Sequence, residues 1–154
     1  MWLGRFERPL PIRCRGAFHS YSAREGSSGV RVVVRSDPRF DVVAAPCLDR
    51  LAQAHSELGD VSGILKVRER GEFEGRPFVS FQCEVLGGGE ALLTRLGETR
   101  TTLNHATALT AIDLLSRPLC EAHQRVDSRT SEGFCLGGLL WGNVVVSADG
   151  TPIG

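Results

Sequence analysis

Between Gly26-Ser27-Ser28-Gly29 and Ser36-Asp37-Pro38 lies Val30-Arg31-Val32-Val33-Val34-Arg35, and this valine-rich run limits the fold more than any other stretch. β-Branched side chains are stiff about χ1 and fit a pleated surface better than a helix turn, so the run reads as a strand. A strand must give its backbone N–H and C=O groups to neighbours, which requires further strands close by. Residues 12–23 alternate polar and apolar side chains imperfectly and supply one, giving strand, turn, strand. A second such unit follows. Gly63-Ile64-Leu65-Lys66-Val67 forms one strand, Glu74-Gly75-Arg76 the turn, and residues 77–85 the partner. Between the two units, Leu48, Leu51, Ala52, His55 and Leu58 recur at helical spacing, with Pro46 suited to the first turn and Gly59 to the C-terminal cap. A helix with a single apolar stripe packs on a sheet.

Gly87-Gly88-Gly89 then breaks the regular pattern as a hinge or a plain loop, and residues 90–96 fit a short helix. Asn104 suits the N-cap of a longer helix whose Ala108, Ile112, Leu115, Leu119 and Ala122 share a face. Pro118 falls inside that helix and should kink or split it, since an interior proline costs about 3 kcal/mol. Residues 125–133 are polar and read as an exposed loop. In the last stretch Val144-Val145-Val146 is a strand, Asp149-Gly150 carries hairpin-turn chemistry, and Asn143 sits at the strand's mouth. The fold class expected is α+β, with no internal repeat.

With 154 residues the chain is about one domain long. Eighteen basic residues balance eighteen acidic ones, so no long-range field draws it to nucleic acid or an anionic membrane. No window is apolar enough to cross a bilayer, and residues 1–13 are too broken by charge and proline for a signal peptide. The five cysteines (Cys14, Cys47, Cys83, Cys120, Cys135) are scattered, which suggests reduced, buried thiols in a cytoplasmic protein. Four histidines (His19, His55, His105, His123) lack metal-site spacing, and Trp2, Phe6 and Trp141 read as packing residues. Lys66 is the single lysine.

The terminal pattern L-x-x-N-V-V-V-x-x-D-G-x-P, residues 140–152, resembles the catalytic loop of protein kinases, where H-R-D-L-x-x-x-N runs into a short hairpin. Laid on Asn143, the histidine, arginine and aspartate positions fall on Leu136, Gly137 and Gly138, so the base is lost. Residues 15–23 look like the family's glycine-rich loop, with Gly16 kept and Cys14 and His19 at the flanking glycine positions. Val32-Val33-Val34-Arg35 resembles V-A-I-K and puts Arg35 at the phosphate-pairing lysine. On the helix Ala52 occupies the position matching the glutamate partner, with Asp49, Gln53 and Glu57 on neighbouring turns. Residues 77–84 are similar to the fifth strand and hinge, where backbone groups hold adenine. The sequence ends at Gly154 before any D-F-G, which implies a domain cut short within its second lobe.

The resemblance implies a kinase-like amino-terminal lobe over residues 1–86, an antiparallel five-stranded sheet with one helix. Residues 87–154 would form a partial carboxy-terminal lobe with hinge, long helix and degenerate catalytic loop. It points to Gly16, Arg35, Gln82, Cys83 and Glu84 for nucleotide and Asn143 for metal, with ATP and magnesium as the cofactors. The leading expectation is a degenerate kinase-like domain with little or no phosphotransfer and a protein partner. Alternatives are part of an active serine/threonine kinase, or a small α+β interaction module unrelated to kinases.

Overall fold

The computed structural model describes residues 5–15, 17–26, 30–36, 39, 41–82, 85–134, 144–147 and 152–153. Three strands open the chain: β1 (Phe6–Arg15), β2 (Phe18–Glu25) and β3 (Val30–Ser36). Residues 12–23 are therefore two strands rather than one, because Arg15 pairs with Phe18 across a tight hairpin. β1 also begins at Phe6, earlier than the alternation from residue 12 indicated. Pro9 and Pro11 cannot donate to a ladder, but β1 is the outer strand and its pairing with β2 shifts register between Glu7 and Leu10 and between Pro11 and Arg13.

Helix α1 (Asp41–Glu57) follows, then β4 (Lys66–Phe73) and β5 (Arg76–Gln82). The helix starts a turn sooner than the apolar spacing implied, leaving Pro46 inside it. β4 starts at Lys66, later than the expected Gly63, because Ile64 and Leu65 are buried in the connection. Glu74 and Gly75 both have positive φ, 52° and 73°, the geometry of a two-residue hairpin turn matched to strand twist. The five strands form one antiparallel sheet in the order β1-β2-β3-β5-β4.

Each face of the sheet carries a core. Val32, Val34, Val79 and Phe81 pack with Leu48 and Ala52 of α1 and with Leu65. On the opposite face Phe6, Ala23, Val33 and Phe78 cluster, with Phe6 fully buried and set edge-on to Phe78 at 5.9 Å between ring centroids. Arg5 spans this second face, pairing with Glu25 on β2 at 3.3 Å and with Glu69 on β4.

The remaining chain forms β6 (Val85–Gly88), α2 (Gly89–Glu98), α3 (His105–Gln124), β7 (Val145–Ser147) and β8 (Pro152–Ile153). The glycine run thus ends a short strand and begins a helix. β6, β7 and β8 make a second, antiparallel sheet, so the valine run does enter a hairpin. Asn104 caps α3, its Oδ1 accepting from the N–H of Thr107 at 2.8 Å.

α3 is not split at Pro118; the helix continues through it. The proline ring is buried against Gly63, whose φ is +92°, and a Cβ at Gly63 would meet Pro118 Cγ at 2.9 Å. Leu115, Pro118 and Ala122 make the buried face of α3, whereas Ile112, expected on it, is 61% exposed. Below that face Leu58, Val61, Ile64, Ala122 and Phe134 form a third cluster joining the α1–β4 connection to α3. Cys47 and Cys120 are exposed, contrary to the buried role expected of the thiols. Among the described residues no helix is long and apolar enough to cross a membrane.

Candidate functional site

Strand geometry decides what the inner face of the sheet offers. Side chains alternate along β3, so if Val32 and Val34 face α1, then Val33 and Arg35 face away. The backbone register agrees: Arg35 lies opposite His19 on β2 and Phe78 on β5, and Phe78 belongs to the outer cluster. The side chain that β3 directs at α1 is therefore that of Val34, with Arg35 on the other face. Its surroundings are apolar, with Leu48 and Ala52 at 2% and 1% exposure.

The acidic residues of α1 have other partners. Asp49 accepts from Arg70 on β4 at 2.9 Å. Glu57 accepts from the Ser128 hydroxyl at 2.6 Å and the Ser128 backbone N–H at 3.1 Å, and from Gln53 at 2.9 Å. Those hydrogen bonds hold the Glu57 carboxyl below its ordinary range. Asp60 is likewise lowered, by Arg125 at 2.8 Å. Residues 125–133, expected as a plain exposed loop, are thus docked on the end of α1. The loop also folds on itself, with the Asp127 N–H donating to Glu132 and the Phe134 N–H to Arg125. Sequence gave no sign of this clasp, because its partners lie 65 to 71 residues apart.

His55 closes the far end of the inner face. Its Nδ1 is 2.7 Å from the Leu65 carbonyl oxygen, which can only accept, so Nδ1 carries the proton. The ring stands edge-on to Phe81 at 4.9 Å. Burial pushes its pKa down, against the opposing pull of the Leu65 carbonyl.

Of the residues expected to hold nucleotide, Gln82 is exposed at the end of β5, with Arg31 and Lys66 as its Cα partners. Gly16, Cys83, Glu84 and the expected metal ligand Asn143 lie outside the described residues, as do Leu136, Gly137 and Gly138. Among the described residues no three metal-binding side chains converge.

Solved structures share this architecture. The kinase domain of Mycobacterium tuberculosis PknI superposes with a TM-score of 0.60 at 17% identity, over 93% of this chain and 55% of that one. A double-substitution variant of the same domain gives 0.62 at 18% identity, over 96% and 57%. The fold is protein-kinase-like. No family model and no curated protein matches the sequence. The chain spans about half the length of the kinase domains it resembles.

Within the kinase-like fold, the five-stranded sheet and α1 make the amino-terminal lobe, and α2, α3 and the short second sheet belong to the part that follows. Kinases pair a lysine on the third strand with a glutamate on the lobe's helix. Here the inward position of β3 and the helix residues that share its cluster are Val34, Leu48 and Ala52. The sequence carried no signal of this, because three consecutive valines have no phase and both faces of β3 are buried.

Proposed function

We propose that this chain is a degenerate kinase-like module, pseudokinase in type, which transfers little or no phosphate and acts by binding a protein partner. The observation that supports it is the apolar contact of Val34 with the α1 face, at the place where phosphotransfer calls for an ion pair. Leu136, Gly137 and Gly138 at the H-R-D positions point the same way, since glycine has no carboxylate to receive a proton. The exposed apolar side chains of α3, Leu109 and Ile112, suit a binding role. The free thiols of Cys47 and Cys120 suit a reducing, cytoplasmic setting. Any nucleotide would be held by the backbone of Gln82, Cys83 and Glu84 and by Gly16, with magnesium on Asn143; Arg35, turned outward, has no part in this.

The test is phosphotransfer from ATP to generic protein substrates and to the chain itself, with magnesium. No incorporation above a heat-inactivated control is expected. Robust magnesium-dependent labelling would overturn the proposal.

A further inference from the structure

We infer that the bare apolar stripe of α3 is a dimerisation surface, on which a second copy of this chain packs its own α3 antiparallel. The inference rests on the proposed binding role and deepens it by naming the partner. Leu109, Ile112, Ser116, Leu119, Cys120 and His123 recur at i, i+3, i+7, i+10, i+11 and i+14, which is one face of a helix. This face is distinct from the one that Leu115, Pro118 and Ala122 bury, and at its amino-terminal end Leu109 and Ile112 stand out at 66% and 61% exposure. At its carboxy-terminal end lies a hollow of about 420 Å³, lined among the described residues by Leu119, Cys120, His123, Gln124 and Phe134. Phe134 is buried, and the His123 ring is tied to the Phe134 carbonyl oxygen, 3.2 Å from Nδ1, so the hollow has a fixed wall. Knob and hollow are spaced evenly about Ser116. Leu109 precedes it by seven residues and His123 follows by seven; Ile112 precedes it by four and Cys120 follows by four. A two-fold axis at Ser116 therefore sets each copy's Leu109 and Ile112 over the other's hollow, the self-complementarity that a two-fold interface requires. Ser116 is also small, so the helices approach closely where they cross. Charge agrees with this register. Arg117 pairs with Asp113 on the flank of the stripe. With the helices reversed about Ser116, Arg117 falls about 3 Å along the axis from the level of the second copy's Asp113, so the two bridges can exchange across the interface. From Leu109 to His123 the stripe runs about 21 Å, which makes the contact small and the pairing weak and concentration-dependent.

Sedimentation velocity on the whole chain is expected to show a monomer–dimer equilibrium. Leu109→Glu or Ile112→Glu, at exposed positions and checked for native circular dichroism, is expected to raise the dissociation constant at least about tenfold. Oxidative crosslinking, read by mass spectrometry of the joined peptides, reports the register. Ile112→Cys is expected to join Cys120 of the second copy, a link lost when Cys120→Ser is added, and Ser116→Cys is expected to join its own copy. In wild type the two Cys120 residues would sit about 12 Å apart along the axes, so no link through Cys120 is expected. A chain that stays monomeric up to about 1 mM overturns the dimer. So does a dimer that both glutamate variants leave intact, or one that links through neither Ile112→Cys nor Ser116→Cys. A monomer without phosphotransfer refutes the dimer alone, whereas phosphotransfer by the chain refutes the proposed function.

Discussion

Placing a lysine at Val34 tests whether that position, and not Arg35, faces the helix. Val34 is 9% exposed and shares an apolar cluster with Leu48 and Ala52. Val34→Lys loses the burial of a valine side chain, worth about 1.5–3 kcal/mol. It also forces an ammonium into apolar surroundings, where it must deprotonate or distort the site, at about 1–3 kcal/mol more. The total expected is about 2.5–6 kcal/mol, a large share of the roughly 5–15 kcal/mol typical of a domain. Ala52→Glu, at a position 1% exposed, is expected to be similarly costly alone. If the two positions face each other, the double variant recovers a coupling energy of about 1–3 kcal/mol relative to the sum of the singles. Urea unfolding followed by circular dichroism measures all four corners of the cycle. Additive singles, or a Val34→Lys cost below about 1 kcal/mol, would refute the inward placement of Val34.

Phe6→Ala removes a fully buried ring and its edge-on contact with Phe78, and should cost about 3–5 kcal/mol in the same urea assay; a loss under about 1 kcal/mol would show that residues 5–10 do not cover the sheet. His55, with its folded pKa depressed by burial, binds its proton more readily when unfolded, so its contribution is complete above about pH 6.5 and is lost as pH falls below that towards the folded pKa. The urea midpoint of wild type should therefore drop between about pH 7.5 and pH 5.5 more than that of His55→Phe, and equal drops would refute the assignment.

Local chemistry made much of the fold legible. The valine run, the Glu74-Gly75 turn, the Asn104 cap and the final hairpin all depend on neighbours in sequence, and all form where the residues placed them. Long-range packing decided the rest. Pro118 stays inside α3 because its ring is buried on Gly63, a residue 55 positions earlier. Pro9 and Pro11 disguised β1, which tolerates them only as an outer strand with shifted register. At the site the kinase-like order of elements could be read from motifs, but the facing of Arg35 could not be read from its position in the motif. Only the partners of Val32, Val34 and Phe78 fix which side of the sheet each residue takes.

The seat of Gly63 under Pro118 has a mechanical side. The loop that leaves α1 is gripped there by a ring and, beside it, by the bridge from Asp60 to Arg125. The connection that leaves α1 is therefore tied to the long helix at two points, one an apolar seat and one an ion pair at the surface.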